Sequence, residues 1–165
     1  MKGYRSNLWV ILLILGFLII GLWGCAGMQS KPTAQLEVIP NETALTPALF
    51  KKPVTFKGSG YAPNELVIVD LMIPKGVKIK TVSEDEESVG LAFANADENG
   101  NVQAKMGATA TLNWFFQVGW TTNMKPIFKE ATPLPPGKYE IRATGANSDL
   151  FGIATLTLVP PPKKE

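Results

Sequence analysis

The residues best equipped for chemistry are carboxylates, because the 165-residue chain has no His and a single Cys, Cys25. Zinc sites built on His or Cys, Cys/His or Ser/His nucleophile pairs and a redox CxxC pair all need residues absent here. One Cys forms no disulfide within its own chain. Asp70 is the most interesting carboxylate. Strand alternation across 65–73 sets it on one face with Leu66, Ile68 and Met72, and half-burial there would raise its pKa. The sequence fixes no second carboxylate at a known distance, so an acid/base pair lacks its other half. The plainer reading is an Asp facing solvent or bonded to a Lys.

Two other acidic stretches point away from metal binding. Glu84-Asp85-Glu86-Glu87 offers oxygen ligands for a hard cation, but four adjacent carboxylates cannot converge on one ion, and such runs are usually solvated. Asp97-Glu98-Asn99-Gly100-Asn101 has a loop composition that suits Ca²⁺, yet it lacks the second spacing and the distal Glu. It reads as a hairpin turn, since Gly and Asn tolerate positive φ. No metal and no cofactor is expected.

The aromatic group Trp114, Phe115, Phe116, Trp120 and Phe128 is the strongest candidate contact surface. Aromatic side chains on an inserted segment can bind a protein, a glycan or an apolar ligand. The competing reading is that a helix lays Leu112, Phe115 and Phe116 over an open end of the domain and closes its core. Trp120, flanked by Gly119 and Thr121-Thr122-Asn123, is the member expected to be exposed.

These residues must be positioned by short runs of period-2 alternation separated by turn residues. Candidate strands cover 36–39, 54–57, 65–73, 77–80, 89–96, 101–106, 138–144 and 151–159. The run 65–73, nearly continuous in apolar residues, suggests a central strand covered on both faces. Lys78 and Lys80 on one face suit a protected edge at 77–80. Only 108–118 follows helical spacing, within an insertion at 107–132. The whole predicts an all-β domain at 36–159, an antiparallel β-sandwich with one short inserted helix, followed by a Pro/Lys tail at 160–165.

Four turn motifs occur in order: Gly58-x-Gly60-Tyr61-x-Pro63-Asn64-Glu65, Ala96-Asp97-Glu98-Asn99-Gly100, Leu134-Pro135-Pro136-Gly137-Lys138-Tyr139 and Ala143-x-Gly145-x-x-Ser148. In this the chain resembles the immunoglobulin-like sandwich modules of bacterial envelope proteins. The resemblance implies adhesion, spacing or assembly, with no catalytic residues. The insertion 107–132 is longer and more aromatic than such modules usually carry.

Lys2 and Arg5 precede an apolar run over 8–23, broken only by Gly16 and Gly21, the arrangement of a secretory signal. Leu22-Trp23-Gly24-Cys25 resembles the lipobox of bacterial lipoproteins. That resemblance implies cleavage between Gly24 and Cys25, a diacylglyceryl group on the Cys25 thiol and an acylated (for example palmitoylated) new N-terminus. Trp23 departs from the pattern, which prefers a smaller residue there, and would slow processing. The alternatives are an uncleaved helix, though the run falls short of the roughly 20 residues a bilayer core needs, and simple secretion. On the lipobox reading 1–24 is the signal peptide and 25–35 is the lipidated Cys with a polar tether. Ala26 rather than Asp after the Cys directs such proteins to the outer membrane in a cell with two membranes.

Without Lys2 and Arg5 the chain carries 14 basic and 14 acidic residues. A neutral domain has no long-range field for phosphate backbones, so nucleic acid is not an expected partner. The Asn41-Glu42-Thr43 sequon is a coincidence in such a protein. The expected function is a lipid-anchored envelope protein with a non-catalytic binding or structural module. Its partners would be the membrane, through acyl chains on Cys25, and an envelope protein or glycan. The rivals are a carrier of a small apolar ligand, held in the sandwich or under the helix, and a hydrolase using Asp70 with another carboxylate.

Overall fold

A computed structural model describes residues 33–162; the apolar run, Gly24, Cys25 and residues 163–165 lie outside them. Among the described residues no helix is long and apolar enough to cross a membrane.

The chain forms β1 (Gln35–Ile39), β2 (Glu42–Ala44), a 3-10 turn (Pro47–Phe50), β3 (Thr55–Ser59), β4 (Leu66–Met72), β5 (Ser88–Asn95) and β6 (Val102–Lys105). A helical segment follows, one α-turn (Ala108–Ala110) widening into π-helical turns (Thr111–Phe116). Then come β7 (Gly119–Trp120), β8 (Pro126–Ile127), a 3-10 turn (Phe128–Glu130), β9 (Gly137–Gly145) and β10 (Phe151–Val159). One sheet has the order β1-β3-β6 and the other β2-β10-β9-β4-β5, with β7-β8 as a separate two-stranded ribbon.

Alternation builds the core. Val38, Phe56, Val102 and Ala104 point inward from the first sheet; Val67, Val69, Leu71, Tyr139, Ile141, Ala143, Leu156 and Leu158 point inward from the second. Two sheets that each bury one face against the other make a sandwich. This is an immunoglobulin-like β-sandwich with one short inserted helix. Its long pairings are antiparallel; β2 alone runs parallel to β10, because the chain leaves the first sheet after β1 and joins the edge of the second. Tyr139, near the start of β9, donates its hydroxyl to the Pro135 carbonyl at 2.7 Å, the tyrosine corner that marks many sandwiches of this kind.

Seven of the eight expected strands form. The segment 77–80 does not. Gly76 at φ +84° reverses the chain there, Val77 N–H closes a turn onto Pro74 O, and Lys80 N–H donates to the Gln117 side chain at 2.6 Å rather than to a strand. The expectation that 65–73 is covered on both faces is also corrected. β4 does lie between β9 and β5, but only Val67, Val69 and Leu71 are buried, while Leu66 and Ile68 remain more than a third exposed. Among the described residues no further layer of sheet or helix covers that outer face. β2 and the β7-β8 ribbon are too short to leave an alternation pattern in the sequence.

β5 is an edge strand, and it is managed. A bulge between Val69 and Asp70 in the β4-β5 register disrupts the ladder, Gly107 N–H donates to Leu91 O at 3.3 Å, and Trp114 Nε1 donates to Gly90 O at 2.9 Å. The insertion thus takes up carbonyls that would otherwise invite another strand.

Candidate interaction surfaces

The insertion is anchored before it is exposed. Thr111 and Phe115 are buried, Phe115 completely, and Leu134 N–H donates to Phe115 O at 2.9 Å. Phe116 stacks on Phe50 with ring centroids 5.7 Å apart, and Trp114 and Phe116 both pack against the core. The helix does close one end of the sandwich. Gln117 at φ +49° then ends it, and the chain turns outward into the ribbon. There Trp120 is 36% exposed, Met124 75% and Phe128 59%, and Trp120 Nε1 donates to Asn113 Oδ1 at 2.8 Å. The five aromatic residues therefore divide. Phe115 has no surface to offer a partner, Trp114 and Phe116 pack against the core, and Trp120 and Phe128 remain exposed, joined by Met124, which the sequence did not single out.

This exposed group sits at one end of the sandwich. The insertion leads from the end of β6, whose Lys105 pairs with Thr55, to the start of β9. Thr33, where the described chain begins, is bonded to Phe151 at the start of β10. β9 and β10 are antiparallel, so Thr33 and the insertion occupy opposite ends.

Asp70 lies mid-strand and half-buried on the outer face, with Arg142 of β9 as its cross-strand neighbour. Burial raises its pKa, and the Arg142 guanidinium pulls it partly back. Arg142 donates to Glu140 at 3.3 Å and lies over the Phe151 ring at 5.3 Å, with its Nε buried and unpaired. The basic neighbour is thus an Arg rather than a Lys. Glu140, the carboxylate two residues before Arg142 on the same face, is engaged by that guanidinium.

The acidic stretches sit in loops. Glu84 pairs with Lys78 at 2.7 Å, both exposed, and Glu84, Glu86 and Glu87 rim an open concavity of about 770 Å³ together with Lys75 and Lys78. Asp97 folds back on its own loop: its carboxylate accepts N–H groups of Asn99 at 2.8 Å and Asn101 at 2.9 Å. The Asn101 bond is the largest influence holding the Asp97 pKa down. Gly100 completes the hairpin at φ +75°. Among the described residues no three His, Cys, Asp or Glu side chains come together as metal ligands.

Glu65 is the buried polar group whose role the sequence did not disclose. It is 4% exposed. Ala62 N–H donates to its Oε1 at 2.6 Å, Ser148 donates its hydroxyl at 2.8 Å, and the N–H groups of Ser148 and Asn147 approach Oε2 at 3.2 and 3.4 Å. Burial pushes the Glu65 pKa up, but these hydrogen bonds outweigh it and the net shift is downward. The carboxylate occupies the space a side chain at position 145 would need, which is why Gly145 stands there. Glu65 and Ser148 belong to two of the turn motifs found separately in the sequence; the carboxylate ties them together. Beside it Tyr61 donates its hydroxyl to Ala143 O at 3.1 Å, and burial is the main reason its pKa is pushed up to about 12.

No protein-family model matches the chain, and comparison with curated proteins returns no match. Among solved structures, macromomycin is similar at TM-score 0.41 and 14% identity, over 76% of this chain and 99% of that one. The β-glucosidase DesR from Streptomyces venezuelae, in complex with D-glucose, aligns at TM-score 0.33 and 16% identity. A β-glucosidase from Listeria innocua, in complex with glucose, aligns at TM-score 0.36 and 11% identity. The chain spans only 12% and 16% of those two enzymes.

Proposed function

We propose that this chain is a lipid-anchored cell-envelope protein whose immunoglobulin-like sandwich is a non-catalytic binding or structural module. Cys25 carries the acyl chains, Gly24 and Cys25 flank the cleavage site, and the anchor lies in the outer membrane where the cell has two. The contacts are made with an envelope protein or glycan, not with nucleic acid. The observation that carries the binding role is the exposure of Trp120, Met124 and Phe128 on a ribbon whose base is fixed by buried Phe115. Aromatic side chains on a rigid support are the usual anchors of interfaces, since they bury much area for little lost rotamer freedom. The placement supports the reading, because the ribbon sits at the end of the sandwich opposite Thr33 and so opposite the entry of the tether.

The test is in-cell cross-linking from the ribbon of the full chain, followed by identification of the adduct. Trp120→Ala with Phe128→Ala should stay folded, with its melting temperature lowered by about 10 °C at most, and lose the adduct to one defined envelope component. An adduct pattern unchanged in the double variant would refute the reading. A stoichiometric apolar molecule retained in native mass spectrometry would instead make the protein a carrier.

A further inference from the structure

The two outer faces of this sandwich differ in character. The first sheet shows Glu37, Lys57, Gln103 and Lys105 to solvent, the charged face expected of an antiparallel sheet. The second does not. Its register lays Phe93, Ile68, Thr144 and Phe151 in one row across β5, β4, β9 and β10, and Gly90, Asp70, Arg142 and Ile153 in the next. Phe93 is 76% exposed, Ile68 39% and Leu66 38%. In the middle stand Asp70, whose carboxylate has no hydrogen bond among the described residues, and Arg142, which donates to Glu140 on the same face and has an unpaired Nε.

We propose that this face is the interface between two copies of the chain, packed face to face about a twofold axis running along the strands between β4 and β9. The pattern of the two rows singles out that axis. It exchanges β4 with β9 and β5 with β10 while holding each row at its own level. Phe93 then meets the partner's Phe151, and Ile68 meets the partner's Thr144. Asp70 faces the partner's Arg142, and the partner's Ile153 fills the space over Gly90, which has no side chain. Within these two rows the facing residues are thus matched by size or by charge, and each match occurs twice.

The geometry suits such a pairing. Sheets stack about 10 Å apart with nearly aligned strands, and the four strands the axis pairs, seven to nine residues long at about 4.8 Å spacing, give a matched face of roughly 15 by 25 Å. With side-chain relief this falls in the small-interface range, under about 1,200 Å² in total, which suits a dimer that dissociates in the micromolar range. An axis parallel to the strands also brings both Thr33 residues to the same end. The dimer itself rests on the fold alone and does not depend on the lipid anchor.

The experiment is sedimentation velocity on the full chain in mild detergent, across a dilution series. Wild type should sediment as a dimer that dissociates on dilution in the micromolar range. Phe93→Glu, at a position too exposed to affect folding, should leave a monomer. Asp70→Lys and Arg142→Glu should each weaken association by tenfold or more alone, since each places like charges opposite one another. Mixed in equal amounts they should pair again, because every facing pair in the mixed dimer has opposite charges. Wild type that stays monomeric at the highest concentration, a dimer indifferent to Phe93→Glu, or a mixture no more associated than its components would overturn the proposal. The middle result would place self-association on another surface.

Discussion

Glu65 illustrates what a single buried carboxylate does when four donors converge on it. The loops 60–65 and 145–150 each place an apolar residue against the core, Tyr61 and Leu150, and Glu65 ties the two loops to one another. Glu65→Ala would leave the N–H groups of Ala62 and Ser148 without an acceptor, and an unsatisfied buried donor costs about 1–3 kcal/mol. Chemical denaturation at neutral pH should detect a loss of that size. The pH dependence has a definite sign. The folded pKa lies below the ordinary value of 4.5, so the unfolded chain binds the proton more readily, and the ionised form contributes stability above that value. That contribution should fade as pH drops below 4.5 through the folded pKa. Glu65→Gln should be less stable than wild type at pH 7 and lose less on acidification; parallel pH profiles for the two proteins would contradict this. At this scale the sequence was only half legible. Asp70 was placed on the correct face from alternation alone, since strand period is a local property. The role of Glu65 was hidden, because its partner Ser148 lies 83 residues away and only folding brings them together.

Among the elements, strands with clean alternation were readable and short ones were not. β9 and β10 carry nine residues each, enough for period 2 to declare itself. β7 and β8 have two each, and no pattern exists at that length. The run 77–80 has strand-like composition but lies in a turn, an outcome decided by Gly76 and by Gln117 from a remote element. The 97–101 hairpin was legible because turn chemistry is local. Its Gly100 is required twice over: φ is +75°, and an added Cβ would collide with the Tyr61 backbone carbonyl. Gly100→Ala should therefore cost more than the ~1–2 kcal/mol of left-handed backbone alone, read as a lowered denaturation midpoint. The helical insertion separates support from display. Phe115→Ala, at a fully buried position, should lose about 3–5 kcal/mol, whereas Trp120→Ala, which removes one hydrogen bond and a partly exposed ring, should lose no more than about 1–2 kcal/mol. Equal losses for the two would mean that the ribbon is part of the core.

On the scale of the whole molecule, the fold class followed from spacing and turn chemistry, because a sandwich needs only alternating strands and places to reverse. Which outer face would stay apolar did not follow, since alternation gives a face its residues but not its neighbours. The proposed position of the protein in the cell is argued from a different part of the chain and from a single thiol. Four Trp residues are present, and two of them, Trp9 and Trp23, precede Cys25, so cleavage before Cys25 leaves a mature chain with Trp114 and Trp120 alone. Each acyl CH₂ buried in a bilayer contributes about 0.8 kcal/mol; one chain binds marginally, and two or three bind stably. The domain then needs no membrane-seeking surface of its own. Cys25→Ala should abolish incorporation of a palmitate analogue and retain the uncleaved mass, with the uncut apolar run 8–23 keeping that precursor in the detergent phase on cloud-point partition. Trp23→Ala, which restores a small residue beside Gly24, should leave the final product unchanged and shorten the lifetime of the precursor in a pulse-chase. A Cys25→Ala chain that is still cut at the same bond and still partitions with detergent would remove the lipid from the account, and with it the reason for the lone Cys to stand where it does.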